Sequence, residues 1–368
     1  MKKMAFLVLP VVLLVLGFVL AVCKIPRDRD RDNGTDATVN VPGTSLVDKL
    51  AWLQNSASSN GTYVIDVTAD ESISPHTLLY SGKMDISITI RGSGGQRTIS
   101  LSRSGAMFTI STGVTLVLDR DITLKGVSGN NSALVGTGTS SSKLIMNAGA
   151  KITDNTNTST SGSGGGVYIG GGGAFTMDGG EISNNRAVNG GGVYVYSSFS
   201  SSYFNIYGGT VSGNTATGDG GGVYVYSSYA YYSSSSYFNM HGGTVSGNTA
   251  TGSGGGVYVY AYSSSYSSSS SYFNMYDGTI SGNDATTGGG VYTRRSGGDT
   301  YFRINNGVVY GSDAAGDLAN TGTDAALHKD YGSVAQHGTF DSNGNNFTSL
   351  GNIPSTSDTI RVVSGNWQ

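Results

Sequence analysis

The feature that most constrains this chain is that it repeats itself. Residues 175–185, Phe-Thr-Met-Asp-Gly-Gly-Glu-Ile-Ser-Asn-Asn, return with small changes at 204–214, 238–248 and 273–283, each copy followed by a glycine triplet and Val-Tyr. From each Phe to the Val behind the triplet (Val193, Val223, Val257 and Val291) the distances are 18, 19, 19 and 18 residues. From Val167 and those valines to the next Phe they are 8, 11, 15, 16 and 11. One part of the repeat is held to length and the other is free. Units recurring every 29 to 35 residues, each with short β runs, define a solenoid. A coil of parallel strands then sets equivalent residues above one another, about 4.8 Å apart.

Ladders follow from that geometry. Phe175, Phe204, Phe238 and Phe273 are expected to stack inside, as are Met177, Ile206, Met240 and Met275, and the row Ile182, Val211, Val245, Ile280. Asn185, Asn214, Asn248 and Asn283 are expected to form a buried amide ladder at a corner, where each amide both donates and accepts. Glycine pairs and triplets serve the other corners by positive φ and close approach.

Composition supports this reading. Gly accounts for 58 of 368 residues and charged residues for 12 %, about half the usual share. With net charge −3, 23 Tyr and 11 Phe, the chain is neither disordered nor, lacking a basic stripe, suited to nucleic acid. β runs are expected at 63–67, 86–91, 107–110, 114–118 and 143–146. Before them, Ser45 and Asp48 form a capping box, and Leu46, Leu50 and Leu53 share a face of a helix over residues 44–58. That helix is expected to cover the apolar end of the first coil. The division is thus a helix at 44–58, a parallel β-helix over 59–310, and closing coils with a cap over 311–368.

The N-terminus carries an address. Lys2 and Lys3 precede an apolar run from Met4 to Val22, which ends at the sole cysteine, Cys23. This is the layout of an export signal over residues 1–23, and no intramolecular disulfide can form. Leu20-Ala21-Val22-Cys23 resembles a bacterial lipobox, with Val22 where a small residue is usual, which implies lipidation at Cys23 and attachment to a membrane. Cleavage after Ala21 and retention as a membrane anchor are the alternatives, and all three export the remainder. Residues 24–43 contain alternating Arg and Asp and read as a solvated tether. Asp28, Asp30 and Asp32 there miss the calcium-loop pattern, because Gly falls one place late and the closing Glu is absent.

Val-Ser-Gly-Asn-Thr-Ala at 211–216 and 245–250, followed by Gly-Gly-Gly-Val-Tyr, resembles the repeats of chlamydial polymorphic outer-membrane proteins. Those carry GGA before Ile, Leu or Val, and FxxN; here Val or Ile replaces the Phe, and Gly-Gly-Gly or Gly-Gly-Thr the GGA. The altered form is similar to repeats of spirochaete surface lipoproteins. The resemblance runs from about Lys143 to Tyr310 and implies a right-handed parallel β-helix at the cell surface or outer membrane. The 58 residues after Tyr310 show no series of ten-residue alternating strands, so lipid rather than a membrane barrel is the expected anchor.

Polysaccharide lyases and hydrolases also use β-helices, and their chemistry needs clustered carboxylates on one face. Between Thr156 and Tyr292 the charged residues are Asp178, Glu181, Arg186, Asp219, Asp277 and Asp284. In the repeat alignment Asp178 shares a column with Tyr207, His241 and Tyr276, and Asp219 with Ser253 and Thr287, so no two carboxylates meet in neighbouring coils. His76, His241, His328 and His337 fit no metal motif, although His328 and His337 could meet across adjacent strands. No catalytic residue, metal or cofactor is therefore expected. What remains is the Ser- and Tyr-rich insertion at 196–203, 226–237 and 260–272, which reads as loops emerging at one place on three coils. Tyr among small hydrogen-bonding residues is the composition of adaptable binding loops. Tyr229, Tyr231, Tyr232, Tyr237, Tyr262, Tyr266 and Tyr272 are the candidate contact surface. The expected function is adhesin-like binding of a host, matrix, glycan or neighbouring-cell surface. A passive or variable coat protein is the second reading, and a carbohydrate-active enzyme the third.

Overall fold

The computed structural model describes residues 38–368 except 230–233, 264–268, 342, 343 and 345, and of Tyr229 only the backbone. It is a parallel β-helix of nine coils, counted along its nine-stranded sheet. The coil around Phe204 shows the plan: strands Val193–Ser197, Ser202–Ile206, Thr210–Ser212 and Thr215–Ala216 each pair in parallel with the same strand of the next coil. Four sheets result, here called the valine, phenylalanine, threonine and alanine sheets, of 9, 12, 11 and 5 strands.

The interior is dictated by period-two alternation. In Ser202–Ile206, Ser202, Phe204 and Ile206 are buried while Tyr203 is exposed. Phe175, Phe204, Phe238, Phe273 and Phe302 form one stack with centroids 4.7–5.0 Å apart, a spacing set by the distance between paired strands. The Met177, Ile206, Met240, Met275 row and the Ile182, Val211, Val245, Ile280 row are likewise in register and buried.

The asparagine ladder closes one corner. Asn185 Nδ2 donates to Asn214 Oδ1 (3.1 Å), Asn214 to Asn248 (3.0 Å) and Asn248 to Asn283 (3.0 Å). It runs further than the repeat suggests, to Asn155 and Asn130 on one side and Asn320 on the other. The residue before each of the five rungs from Asn155 to Asn283 (Asp154, Asn184, Gly213, Gly247, Gly282) has φ between 56° and 63°. Only Gly, Asn and Asp take that conformation readily, hence the recurring Gly-Asn, Asn-Asn and Asp-Asn. Beside that ladder the triplets permit close approach: a Cβ on Gly192 would lie 2.7 Å from Gly222 O and 3.0 Å from Asn214 Nδ2, and one on Gly222 2.7 Å from Gly256 O.

Both ends of the coil are covered. The helix Leu46–Ser56 has the expected capping box and buries Leu46, Leu50 and Leu53 against the first coils, and Trp52 meets Tyr63 edge-on at 6.2 Å. Parallel pairing continues past residue 310, as far as Val334–Phe340. There Phe347–Asn352 adds antiparallel to that strand, and Ile360–Val363 adds antiparallel to Gly307–Val309. A reversed strand ends the coil's propagation and shields the edge.

Candidate functional site

Where they are described, the insertions begin and end as strands rather than as loops, and this corrects the sequence reading for those residues. Strands of the valine sheet grow from Val167–Ile169 to Val193–Ser197, Val223–Tyr229 and Val257–Ser263, while on the phenylalanine sheet Ser235–Met240 and Ser270–Met275 exceed Ala174–Met177. The two sheets extend outward together as a blade. Between them lie Ser197, Ser202, Ser227, Ser236, Ala261 and Ser271, all fully buried. Ser202 Oγ donates to Tyr196 O (2.7 Å), Ser236 Oγ to Tyr226 O (2.6 Å) and Ser271 Oγ to Tyr260 O (2.6 Å). Small side chains let the sheets approach, and their hydroxyls satisfy carbonyls that no hydrophobic core could.

Because the sheets meet by their inner faces, the tyrosines point away on opposite sides. On the phenylalanine sheet Tyr203, Tyr237, Tyr272 and Tyr301 stack 4.8–4.9 Å apart, and Arg303 lies 4.5 Å from the Tyr301 ring centroid. On the valine sheet Tyr196, Tyr226 and Tyr260 stack at 5.5 and 5.1 Å, with Arg294 over Tyr260 at 5.4 Å. Beside them runs a longer stack of Tyr168, Tyr194, Tyr224, Tyr258, Tyr292 and His328. A cationic or ionisable side chain lies against the last ring of each, as the ring quadrupole favours.

The candidate residues are therefore divided. Tyr237 and Tyr272 belong to the phenylalanine-sheet stack, while Tyr262, 46 % exposed, lies on the valine-sheet side. Tyr231, Tyr232 and Tyr266 and the side chain of Tyr229 lie outside the described residues, as does Cys23. The described tyrosines of the candidate contact surface thus fall on two faces of a blade, with Tyr203 39 % exposed on one of them. The longest stack was missed, although its signal, the Tyr of each Gly-Gly-Gly-Val-Tyr, is present in every copy.

Burial raises the phenols of this stack: Tyr168 and Tyr292 are pushed up to about 12, and Tyr194, Tyr224 and Tyr258 are raised too. They are neutral hydrogen-bonding rings at ordinary pH. Burial also raises the Asp219 carboxyl, whose Oδ1 accepts from Ser253 N at 2.8 Å. His241 lies between Tyr207 and Tyr276 at 4.6 and 4.2 Å, and burial lowers its pKa.

The two C-terminal histidines do not meet. His328, in the valine sheet, stacks on Tyr292 and contacts Asp324 (2.7 Å) and Asp330 (3.3 Å); His337, in the phenylalanine sheet, contacts Gly365 O and the edge of Trp367. Among the described residues no three His, Cys, Asp or Glu gather as a metal site would require, and no helix is long and apolar enough to cross a membrane. No protein family, curated protein or solved structure matches the chain.

Proposed function

We propose that this chain is an exported, non-catalytic surface protein, held to the membrane by lipid on Cys23, that attaches through its tyrosine-faced blade to a host, matrix, glycan or neighbouring-cell surface. The observation that carries the reading is the blade. Successive coils project in-register Tyr rows on a stiff, serine-zipped support that the β-helix core does not need. Rigid aromatic side chains that need no ordering on contact are the usual anchors of interfaces. The lipobox-like Leu20-Ala21-Val22-Cys23 and the resemblance of the repeats to surface proteins support the location.

The test is attachment of cells displaying the chain to glycan and matrix-protein arrays. Replacing Tyr203, Tyr237, Tyr262 and Tyr272 by Ser is expected to cut attachment at least about tenfold, since such anchors dominate binding energy, with the circular dichroism of the fold retained. Undiminished attachment by that folded variant would move the contact surface away from the blade, and no attachment by the wild type to any array would favour a passive coat. The coat reading has its own support in ladders such as Asn205, Asn239 and Asn274, whose amides hydrogen-bond one another on an outer face.

A further inference from the structure

The longest tyrosine stack stops where a rung is missing. Within the valine sheet the column reads Thr77, Thr109, Gly136, Tyr168, Tyr194, Tyr224, Tyr258, Tyr292 and His328, each residue directly paired with the next. Tyr168 stacks on Tyr194 with one face, and its other face is turned toward the coil that carries Gly136. A Cβ built on Gly136 meets no atom within 4 Å, and neither does one on Gly138. The space is a groove of about 430 Å3 lined by Tyr168, Gly136, Thr109, Asn157, Ser161 and Ser163 among others.

This groove has a built rim. Thr158 donates from both its backbone N and its Oγ1 to Asn130 O (2.7 and 2.9 Å), and Asn157 Nδ2 donates to Gly164 O (3.0 Å). Asn157 N donates to Arg186 O (2.8 Å), so the rim segment is tied to the coils on either side of it. Every polar side chain lining the groove is Ser, Thr, Asn or Tyr, and none is charged. One open aromatic face facing neutral hydroxyls and amides specifies the occupant. A pyranose can lay its C–H face on the ring and turn its hydroxyls to the rim. A purely apolar aromatic ring would displace water from the rim hydroxyls and amides and return no hydrogen bond, and an acidic sugar or phosphate would find no counter-charge.

We propose that the Gly136 slot is a binding site for a neutral hexopyranose, which occupies the absent rung of the stack and lies against Tyr168. This site is separate from the blade and does not depend on the blade's role. Gly136 has no positive φ and its Cβ direction is open, so Gly136→Tyr can supply the missing ring without strain, filling the slot with the protein's own side chain.

Saturation-transfer NMR on the full chain, with glucose, galactose, mannose and N-acetylglucosamine as probes, tests the proposal. Glucuronate and p-cresol serve as comparisons. At least one neutral sugar is expected to receive saturation, with glucuronate and p-cresol weaker. Tyr168→Ala should reduce the signal at least about tenfold, as loss of a stacking face does. Gly136→Tyr should abolish it while keeping the melting temperature, which separates loss of the slot from loss of the fold. The blade variant Tyr203→Ser/Tyr237→Ser should bind the sugar as wild type does, so failure of blade attachment and failure of the slot are read independently. No transfer to any neutral sugar, preferential transfer to p-cresol, or an undiminished sugar signal in Gly136→Tyr would each overturn the proposal.

Discussion

Replacing Asn248 by Leu measures what the amide ladder contributes. The Asn248 side chain is fully buried and makes four hydrogen bonds: Nδ2 donates to Val211 O (2.9 Å) and Asn283 Oδ1 (3.0 Å), and Oδ1 accepts from Asn214 N and Nδ2 (both 3.0 Å). Leucine has a similar outline, so the loss is polar rather than steric. The partners are affected unequally. Asn214 Nδ2 keeps Ile182 O and Ser212 O, and Asn283 Oδ1 keeps the Asn248 backbone N. Asn214 N, which is buried, loses its acceptor outright. An orphaned buried N–H costs about 1 to 3 kcal/mol and each further lost bond about 1 kcal/mol. Leucine's own burial returns part of this, leaving a net loss of about 2 to 4 kcal/mol.

A repeat array need not unfold in one step, so a single melting temperature is a poor readout and local hydrogen exchange is the better one. The loss converts to about 30- to 1,000-fold faster exchange in peptides covering 206–216 and 240–251. Peptides covering 114–125 should be unchanged, because coils interact with their neighbours. The control is Asn239→Ala. Asn239 also makes two ladder bonds, but on the half-exposed outer face, where water can replace them. Its effect should stay below about 1 kcal/mol, or about fivefold. Equal exchange in the two variants would show that the buried amides do not hold the corner.

Alkaline pH should unfold this protein through its tyrosine stack. Phenols that ionise near 10 in the unfolded chain are held neutral by burial up to about 12 at Tyr168 and Tyr292, so between those values the unfolded state binds fewer protons and stability falls as pH rises. Melting temperatures should therefore be level up to about pH 9 and drop toward about pH 11.5, with a phenolate titration that lags in the folded protein; a flat profile would place these rings in water. A second contrast compares two glycines. Gly222→Ala should destabilise its coils by about 1 to 3 kcal/mol, read by exchange at residues 211–225, since the added Cβ would sit 2.7 Å from Gly256 O. Gly136→Ala, in open space, should change stability by no more than about 0.5 kcal/mol.

The coil was legible where every copy meets the same environment. Phe, Asn and the glycine triplet recur because a stacked ring, a buried amide and a backbone contact each admit few residue types. Elsewhere the same columns are filled by composition rather than identity. The Phe column continues upstream as Leu144, Leu116, Ile88 and Tyr63, which are interchangeable as apolar interior and carry no repeat signal. Likewise Asn155 and Asn320 are ladder rungs preceded by Asp154 and Ala319 rather than by Gly, so they do not resemble Gly-Asn. The blade shows a different limit. Val257-Tyr-Val-Tyr-Ala-Tyr-Ser263 alternates as a strand should, but its Ser- and Tyr-rich continuation has the composition of a loop. That Tyr237 and Tyr262 face opposite ways follows only from the pairing of two sheets through serine, a contact between segments whose separation differs from coil to coil. The vacant rung at Gly136 was equally hidden, because a missing side chain becomes a site only beside a neighbour that has one.

The variable lengths of the insertions follow from the same construction. From Val193 to Phe204 is 11 residues and from Val223 to Phe238 is 15. Of the added residues, Ser228 and Tyr229 lengthen the valine-sheet strand and Ser235 the phenylalanine-sheet strand, while Tyr226, Ser227, Ser236 and Tyr237 stay in register with Tyr196, Ser197, Ser202 and Tyr203. A change of one residue within a strand would turn its tyrosines into the serine seam. The 16 residues from Val257 to Phe273 accordingly preserve Ser271, Tyr272 and Phe273 in register with Ser236, Tyr237 and Phe238, so the extra residue falls between the paired strands. Growth is thus confined to the stretch between Ser197 or Ser227 and the following Ser202 or Ser236, where the added strand residues pair with those of the neighbouring coil. The core from Phe to Val, whose glycine and asparagine corners admit no such change, stays at 18 or 19 residues.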